Sequence, residues 1–208
     1  MLVLLEGNIA AGKSTLGVAL AASPHFHFVP EPVAHWQTGF AANLLERFYA
    51  DTPRWAFTMQ IGAFVTRAQM AVPQTGDALT GAITVFERSV YCDRYVFAKN
   101  LHDQGTMDET EWAVYCHFWD HFTAAMPAPD AILYLRTHAE ECLRRLQIRG
   151  RAEEKAISLA YLQQLEACHD EWLGGPSSGG IPILRLDGAR AWSAGDVAQQ
   201  LAQILPTP

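Results

Sequence analysis

Short apolar runs alternate with longer amphipathic stretches along the whole chain. Leu2 to Leu5, Phe26 to Val29, Ile83 to Phe86, Ala131 to Leu135 and Ile183 to Leu186 are the apolar runs. Uninterrupted runs of this length are what strands buried on both faces of a parallel sheet require. Between them lie helical patterns. Leu16 to Ala22 is the first, and Gly39–Tyr49 the second, with Phe40, Leu44 and Phe48 on one face. Asp51-Thr52-Pro53 reads as the cap and first turn of a long helix from Arg54 to about Ala71. Val72-Pro73-Gln74-Thr75-Gly76-Asp77 is a predicted loop. Helices are then expected over Val90–Asp103, Asp108–Ala125, Ala139–Ile148, Ser158–Leu173 and Ala194–Ile204. GGPSSGG, Gly174 to Gly180, is a predicted flexible loop rather than a domain boundary, because too little chain follows to fold alone. No repeat is present. The alternation predicts an α/β fold: one domain over residues 1–208, built on a doubly wound parallel sheet with helices on both faces.

The first junction carries the plainest chemistry. Gly7-Asn8-Ile9-Ala10-Ala11-Gly12-Lys13-Ser14-Thr15 lies between the first apolar run and the first helix. It fits G-x-x-x-x-G-K-[ST] in its strand–loop–helix context. Gly7 and Gly12 let successive N–H groups point inward at an anion, and the helix adds the positive end of its dipole. Lys13 would reach the outer phosphates and the Ser14 hydroxyl would sit on Mg²⁺. The loop predicts a nucleoside triphosphate site and a P-loop NTPase-type fold.

Composition narrows the rest. The chain has 208 residues, half of them hydrophobic, and a net charge of −7. That balance argues against a nucleic-acid surface, so cations that meet phosphate must be clustered. No apolar run approaches the ~20 residues of a membrane span. The first strand begins at residue 2, which leaves no room for a leader, so a cytoplasmic location is expected. Cys92, Cys116, Cys142 and Cys168 lack metal-ligand spacing and read as buried reduced thiols, and the eight histidines suggest no metal cage.

Glu31 stands between Pro30 and Pro32 at the end of the second run, and Glu87-Arg88 end the third. In an open α/β sheet that edge is where ligands bind. Glu31 is therefore a candidate general base, Glu87 a carboxylate for the metal, and Arg88 a guanidinium for the transferring phosphate. Gln60 and Arg67 are seven apart on one apolar helical face with Met59 and Ala63. They either satisfy each other in a core or read a polar ligand, and an amide can pair with a base edge. Asp93 could hold Arg67, while Trp36 and Tyr49 either edge a sugar and base or belong to the core. Arg144, Arg145, Arg149 and Arg151, with Glu153 and Glu154 behind, form a cluster around Gly150. The cluster reads as a lid at about residues 145–156 that closes over phosphate, or as a solvated face paired with Glu140 and Glu141. Trp112, Tyr115, Phe118, Trp119 and Phe122 exceed one core stripe, so their helix is either a dimer interface or deeply buried.

In this order the pieces resemble the deoxyribonucleoside kinases. The matching blocks are GNIAAGKST, EPVAHW, RWAFTMQ with Arg67 downstream, FERSVYCDRYVFAKNL, and CLRRLQIRGRAEE followed by YLQQL. The resemblance implies a five-stranded parallel sheet, a homodimer built on a helix pair, ATP with Mg²⁺ as donor, and phosphorylation of a deoxynucleoside 5′-hydroxyl in nucleotide salvage. By position, it implies Glu31 as base with Arg88 at the 5′-oxygen, and Ser14 and Glu87 for Mg²⁺. Gln60 would read the base, with Trp36 and Met59 packed near it, and Tyr49 with Glu154 would hold the 3′-hydroxyl. Arg145, Arg149 and Arg151 match the lid arginines. The Arg67–Asp93 pair resembles the deoxycytidine and deoxypurine branch, which implies deoxycytidine, deoxyadenosine or deoxyguanosine over thymidine. The alternatives are a broad-specificity or thymidine-preferring relative. Three positions depart from the pattern. Met59 stands where several relatives have Phe, and His35 where Arg or Lys is common. DGARAWSAG lacks the acidic loop that commonly holds the donor base. Thymidylate and shikimate kinases lack the EPV and ERS pairing, and a decayed kinase-like scaffold would not be expected to keep Lys13, Ser14, Glu31, Arg88 and the lid arginines together.

Overall fold

A computed structural model describes residues 1–71 and 82–205. Five strands form one all-parallel sheet: β1 (Leu2–Glu6), β2 (Phe26–Val29), β3 (Ile83–Glu87), β4 (Ala131–Arg136) and β5 (Ile183–Asp187), in the order β2-β3-β1-β4-β5. β1 is central, with Leu5 beside Glu87 of β3 and beside Leu133 of β4. All five carboxyl ends therefore face one edge.

The helices are α1 (Lys13–Ala21), α2 (Val33–Thr38), α3 (Leu44–Ala50), α4 (Thr52–Ala71), α5 (Val90–Cys92), α6 (Lys99–Asp103), α7 (Glu109–Thr123), α8 (Ala139–Arg149), α9 (Leu159–Gly174) and α10 (Ala194–Ile204). Side chains alternate across each strand, so the sheet feeds two cores. Leu4, Ile132 and Tyr134 pack on Leu146 of α8 and on Leu162 and Leu165 of α9. Val3, Leu5, Leu133 and Leu135 pack on Leu16 and Leu20 of α1 and on Val197 and Leu201 of α10. A third core lies among helices, where Trp36, Leu44, Phe48, Met59 and Phe64 meet Tyr115 of α7.

Three sequence expectations change. The helix expected over Gly39–Tyr49 begins only at Leu44, as α3; residues 39–43 form a turn, and the separate short helix α2 precedes them. Gly39 closes α2 by donating to His35 O at 2.7 Å, and the Asn43 side chain accepts the Glu46 N–H at 3.0 Å to start α3. Phe40, expected on the apolar face, is exposed in the turn between them. The helix expected over Val90–Asp103 contains a π-turn at Asp93–Ala98 between α5 and α6. The segment Gly174–Gly180, expected as a flexible loop, includes a 3₁₀ turn at Pro176–Ser178. The predicted loop Val72–Asp77 lies outside the described residues. Of the aromatic residues on α7, Tyr115 alone is buried. Trp119 turns inward to donate to Val90 O at 3.1 Å, while Val114, Phe118 and Phe122 stay exposed. Cys116 is half-buried, the other three thiols are buried, and all four are free.

After β5 the chain crosses back over the end of β4, where Gly188 donates to Arg136 O at 2.7 Å. A side chain there would meet Thr137 Oγ1 at 1.7 Å and Arg136 O at 2.9 Å. Thr137 in turn donates to Ala11 O of the glycine loop at 2.9 Å. Gly188→Ala should therefore cost about 1–3 kcal/mol by overpacking and should loosen the glycine loop. Lower thermal stability, with weaker nucleotide protection against melting, is the expected result.

Candidate active site

The sheet edge opens into a cavity of about 530 Å³, within the range of small-molecule sites. It collects residues from the ends of β1, β2 and β3, from α2 to α4, and from α8 and the chain beyond. Of the residues read from the sequence as site candidates, all but Gly7, Asn8 and Arg144 line it, and the first two belong to the glycine loop that bounds it.

At one end the glycine loop curls as its sequence requires. Gly7 has φ +150°, and a Cβ there would sit 2.5 Å from Leu135 O; Gly12 has φ +106°. Asn8 anchors the loop by donating to Leu162 O of α9 at 2.9 Å. Lys13 Nζ folds back on the loop, donating to Asn8 O at 2.8 Å and Gly7 O at 3.1 Å. Burial, reinforced by Arg88, pushes this ammonium down to about 8. The Ser14 hydroxyl donates to Glu87 Oε1 at 2.8 Å. A hydroxyl and a carboxylate meeting beside a phosphate cradle are hard oxygen donors that suit Mg²⁺.

The middle of the cavity is a buried charge cluster. The Arg67 guanidinium from α4 pairs with Asp93 on one side and with Glu31 on the other. Arg88 Nε lies 3.1 Å from the same Glu31 oxygen. Burial alone would raise the Glu31 carboxyl, but Arg88, Arg67 and Lys13 overcome it and hold the carboxyl below its ordinary value. Arg88 has φ +65°, a left-handed conformation rare for a side-chain-bearing residue. Its N–H donates to Leu5 O at 3.0 Å, and its guanidinium lies 4.8 Å above the Phe97 ring.

Gln60 resolves one alternative left open by its spacing. Its Oε1 is buried without a partner among the described residues, so Gln60 and Arg67 do not satisfy each other. Arg67 Nε and Asp93 Oδ2 are likewise unpartnered. Trp36 donates to Thr66 Oγ1 at 3.0 Å, and the Arg67 guanidinium stacks 4.9 Å above its ring. Buried polar groups left open on a cavity wall are free to pair with a polar ligand.

The arginine cluster divides by task. Arg145 donates to Ala11 O and Gly188 O, both at 2.8 Å, and to Glu141 at 2.6 Å. Arg144 also turns to Glu141. Arg149 and Arg151 both pair with Glu154, a buried carboxylate in the 3₁₀ turn Ala152–Ala156. Tyr49 lines the same wall. Sequence reasoning missed Tyr161, Phe97 and Leu45 as lining residues, and kept Phe48 for the core alone. Tyr161 stands within the YLQQL block, which offered the one signal for it.

Comparison with known proteins agrees with the chemistry of this cavity. The family profile described as "Deoxynucleoside kinase" matches residues 3–206. Deoxycytidine kinase 2 of Gallus gallus is 41% identical over 194 residues, covering 82% of this chain and 73% of that protein. Deoxycytidine kinase of Mus musculus is 39% identical over 193 residues, 82% of this chain and 74% of that protein. The mitochondrial deoxyguanosine kinase of Xenopus laevis is 36% identical over 190 residues, with shares of 81% and 71%.

Beneath the glycine loop lies a group that sequence spacing could not reveal. Glu6, the last residue of β1, is fully buried and accepts from the Ser89 hydroxyl at 2.6 Å. Cys92 and His169 bring ligand-type atoms within 4.8 Å of its carboxylate, and burial keeps the His169 ring neutral, down to about 3. Burial also drives Glu6 up to about 7, against the pull of Ser89 and Arg88. The folded protein therefore binds this proton more tightly than the unfolded chain does. The stability it gives is complete below about pH 4.5 and is lost as pH rises to about 7. Glu6→Gln, which mimics the protonated form, should gain on the wild type by roughly 1–3 kcal/mol between pH 5 and pH 8. Melting curves at both pH values measure this, and a difference that does not change with pH contradicts it.

Proposed function

Because the chain belongs to the deoxynucleoside kinase family, we propose that it transfers the γ-phosphoryl group of ATP to the 5′-hydroxyl of deoxycytidine or a purine deoxynucleoside in preference to thymidine. The observation that carries the choice of base is the buried Gln60 amide, with one oxygen open, beside the Arg67–Asp93 pair. An amide, a guanidinium and a carboxylate offer donors and acceptors to an amino-bearing base edge. Asp93 also fills space that a thymine methyl would need.

The roles follow from chemistry along the cavity. Glu31 accepts the 5′-hydroxyl proton while the 5′-oxygen bonds to the γ-phosphorus and the bond to the β,γ-bridging oxygen breaks, leaving ADP. Arg88 holds Glu31 and faces the reacting oxygens. Lys13 and the loop N–H groups bind the β- and γ-phosphates. Ser14 and Glu87 would hold Mg²⁺, which when bound neutralises phosphate charge. Arg145, Arg149 and Arg151 form the lid that stabilises charge on the moving group. Trp36 and Met59 pack on the base, and Tyr49 and Glu154 hold the 3′-hydroxyl. The exposed side chains Val65 on α4 and Val114, Phe118 and Phe122 on α7 support a homodimer built on these two helices.

Turnover of the four deoxynucleosides with ATP and Mg²⁺ tests the reading. The highest kcat/KM should fall to deoxycytidine or a purine deoxynucleoside, and a thymidine maximum would refute the base assignment. Glu31→Gln should lower kcat by ~10²-fold or more while leaving ATP affinity near that of wild type. Asp93→Ala should move the ranking toward thymidine, and an unmoved ranking means that the base is read elsewhere.

A further inference from the structure

Arg67 holds two carboxylates at once. One side of its guanidinium pairs with Asp93, at the end of the cavity assigned to the base, and the other side reaches Glu31. Glu31 also takes Arg88 Nε at 3.1 Å. A carboxylate gripped by two guanidiniums is a poor proton acceptor, since each cation stabilises the charge that protonation would remove. Lys13, the third cation facing Glu31, donates its hydrogen bonds to Gly7 O and Asn8 O. At the base end, Gln60 Oε1, Asp93 Oδ2 and Arg67 Nε are all buried without partners among the described residues. A base edge that fills those groups competes with Glu31 for the same guanidinium.

We propose that Arg67 couples recognition of the base to the proton-accepting power of Glu31. A nucleobase that engages the guanidinium draws it off the carboxylate, and Glu31 passes from two guanidinium partners to one as the correct base seats. This rests on the reading of Glu31 as the general base. It makes Arg67 a positioning and specificity-determining residue whose effect appears in the chemical step as well as in binding. A nucleoside with the wrong edge binds and leaves Glu31 restrained, a form of induced fit.

The probe is an abasic deoxyribose, the same sugar with hydrogen in place of the base. It presents a 5′-hydroxyl and nothing to pull Arg67, so the wild type should phosphorylate it slowly. Two variants release Glu31 without a base. Arg67→Lys keeps a cation for Asp93, but a single ammonium cannot span both carboxylates as the planar fork does. Arg67→Gln combined with Asp93→Asn removes the pair and leaves no buried charge alone. Each should raise kcat/KM for the abasic sugar by roughly 3–10-fold, while kcat/KM for deoxycytidine falls. Adding Glu31→Gln should abolish the gain.

A residue that merely bound the base or shaped the wall would leave the abasic rate unchanged or lower it, and that result overturns the coupling. Melting curves establish that each variant is folded. Arg67→Lys preserves the buried pair and carries the test if the double variant does not fold. The two readings fail separately. Unmoved abasic rates with an inactive Glu31→Gln enzyme defeat the coupling alone, whereas full deoxycytidine turnover by Glu31→Gln defeats the general base and the coupling with it.

Discussion

Buried charge must be paired, and that demand organises the acceptor half of this molecule. Glu31 follows β2, Arg88 follows β3, Arg67 lies near the end of α4, and Asp93 opens the π-turn behind β3. Arg67, Arg88 and Asp93 are almost fully withdrawn from water. Removing one partner of a buried ion pair costs about 3–5 kcal/mol, because the other is left charged and alone. Three segments far apart in sequence, at Glu31, at Arg67 and at Arg88–Asp93, are therefore tied at one point by charge rather than by apolar packing. The tie fixes α4 against the sheet edge and determines where a nucleoside can lie.

The same demand explains how a chain of net charge −7 handles polyphosphate. Six of its fifteen lysines and arginines line the one cavity, against four carboxylates. They fall into two groups. Arg67 and Arg88 are 6% and 3% exposed and bind carboxylates within the protein, whereas Arg149 and Arg151 are 37% and 28% exposed and share the single carboxylate of Glu154. Cations with partial access to water can exchange partners at low cost; a buried cation gives up a partner only when an incoming polar group replaces it.

Much of this could be read from the chain. Five apolar runs gave the strands because a parallel sheet covered on both faces tolerates few charges. The glycine loop was legible because Gly7 and Gly12 occupy backbone conformations open to little else. The segment near Gly39 was misread because its apolar spacing continues through a turn, and the decisive signal was the Asn43 cap rather than the periodicity. Gln60 and Arg67 were ambiguous because spacing shows a shared face but cannot show whether that face meets a core or a cavity. Glu6, Cys92 and His169 were invisible for a different reason. Eighty-six residues separate the first two and seventy-seven the last two; the pairing of β3 with β1 brings Cys92 to Glu6, and the packing of α9 adds His169.

Arg88 shows why the least legible features gather at the site. Nothing in Glu87-Arg88-Ser89 announces a left-handed residue, and a side chain at φ +65° is held against a strain of order 1–3 kcal/mol. The neighbours supply the compensation: Leu5 O takes its N–H, Ser89 caps α5, and the Phe97 ring lies under its guanidinium. An extended conformation at that point would set the side chain roughly perpendicular to the sheet, on one of its faces. The left-handed turn directs it across the strand ends to Glu31. Local preference loses to geometry where the end of β3 meets the Glu31 carboxylate, and the surrounding contacts make that arrangement the stable one.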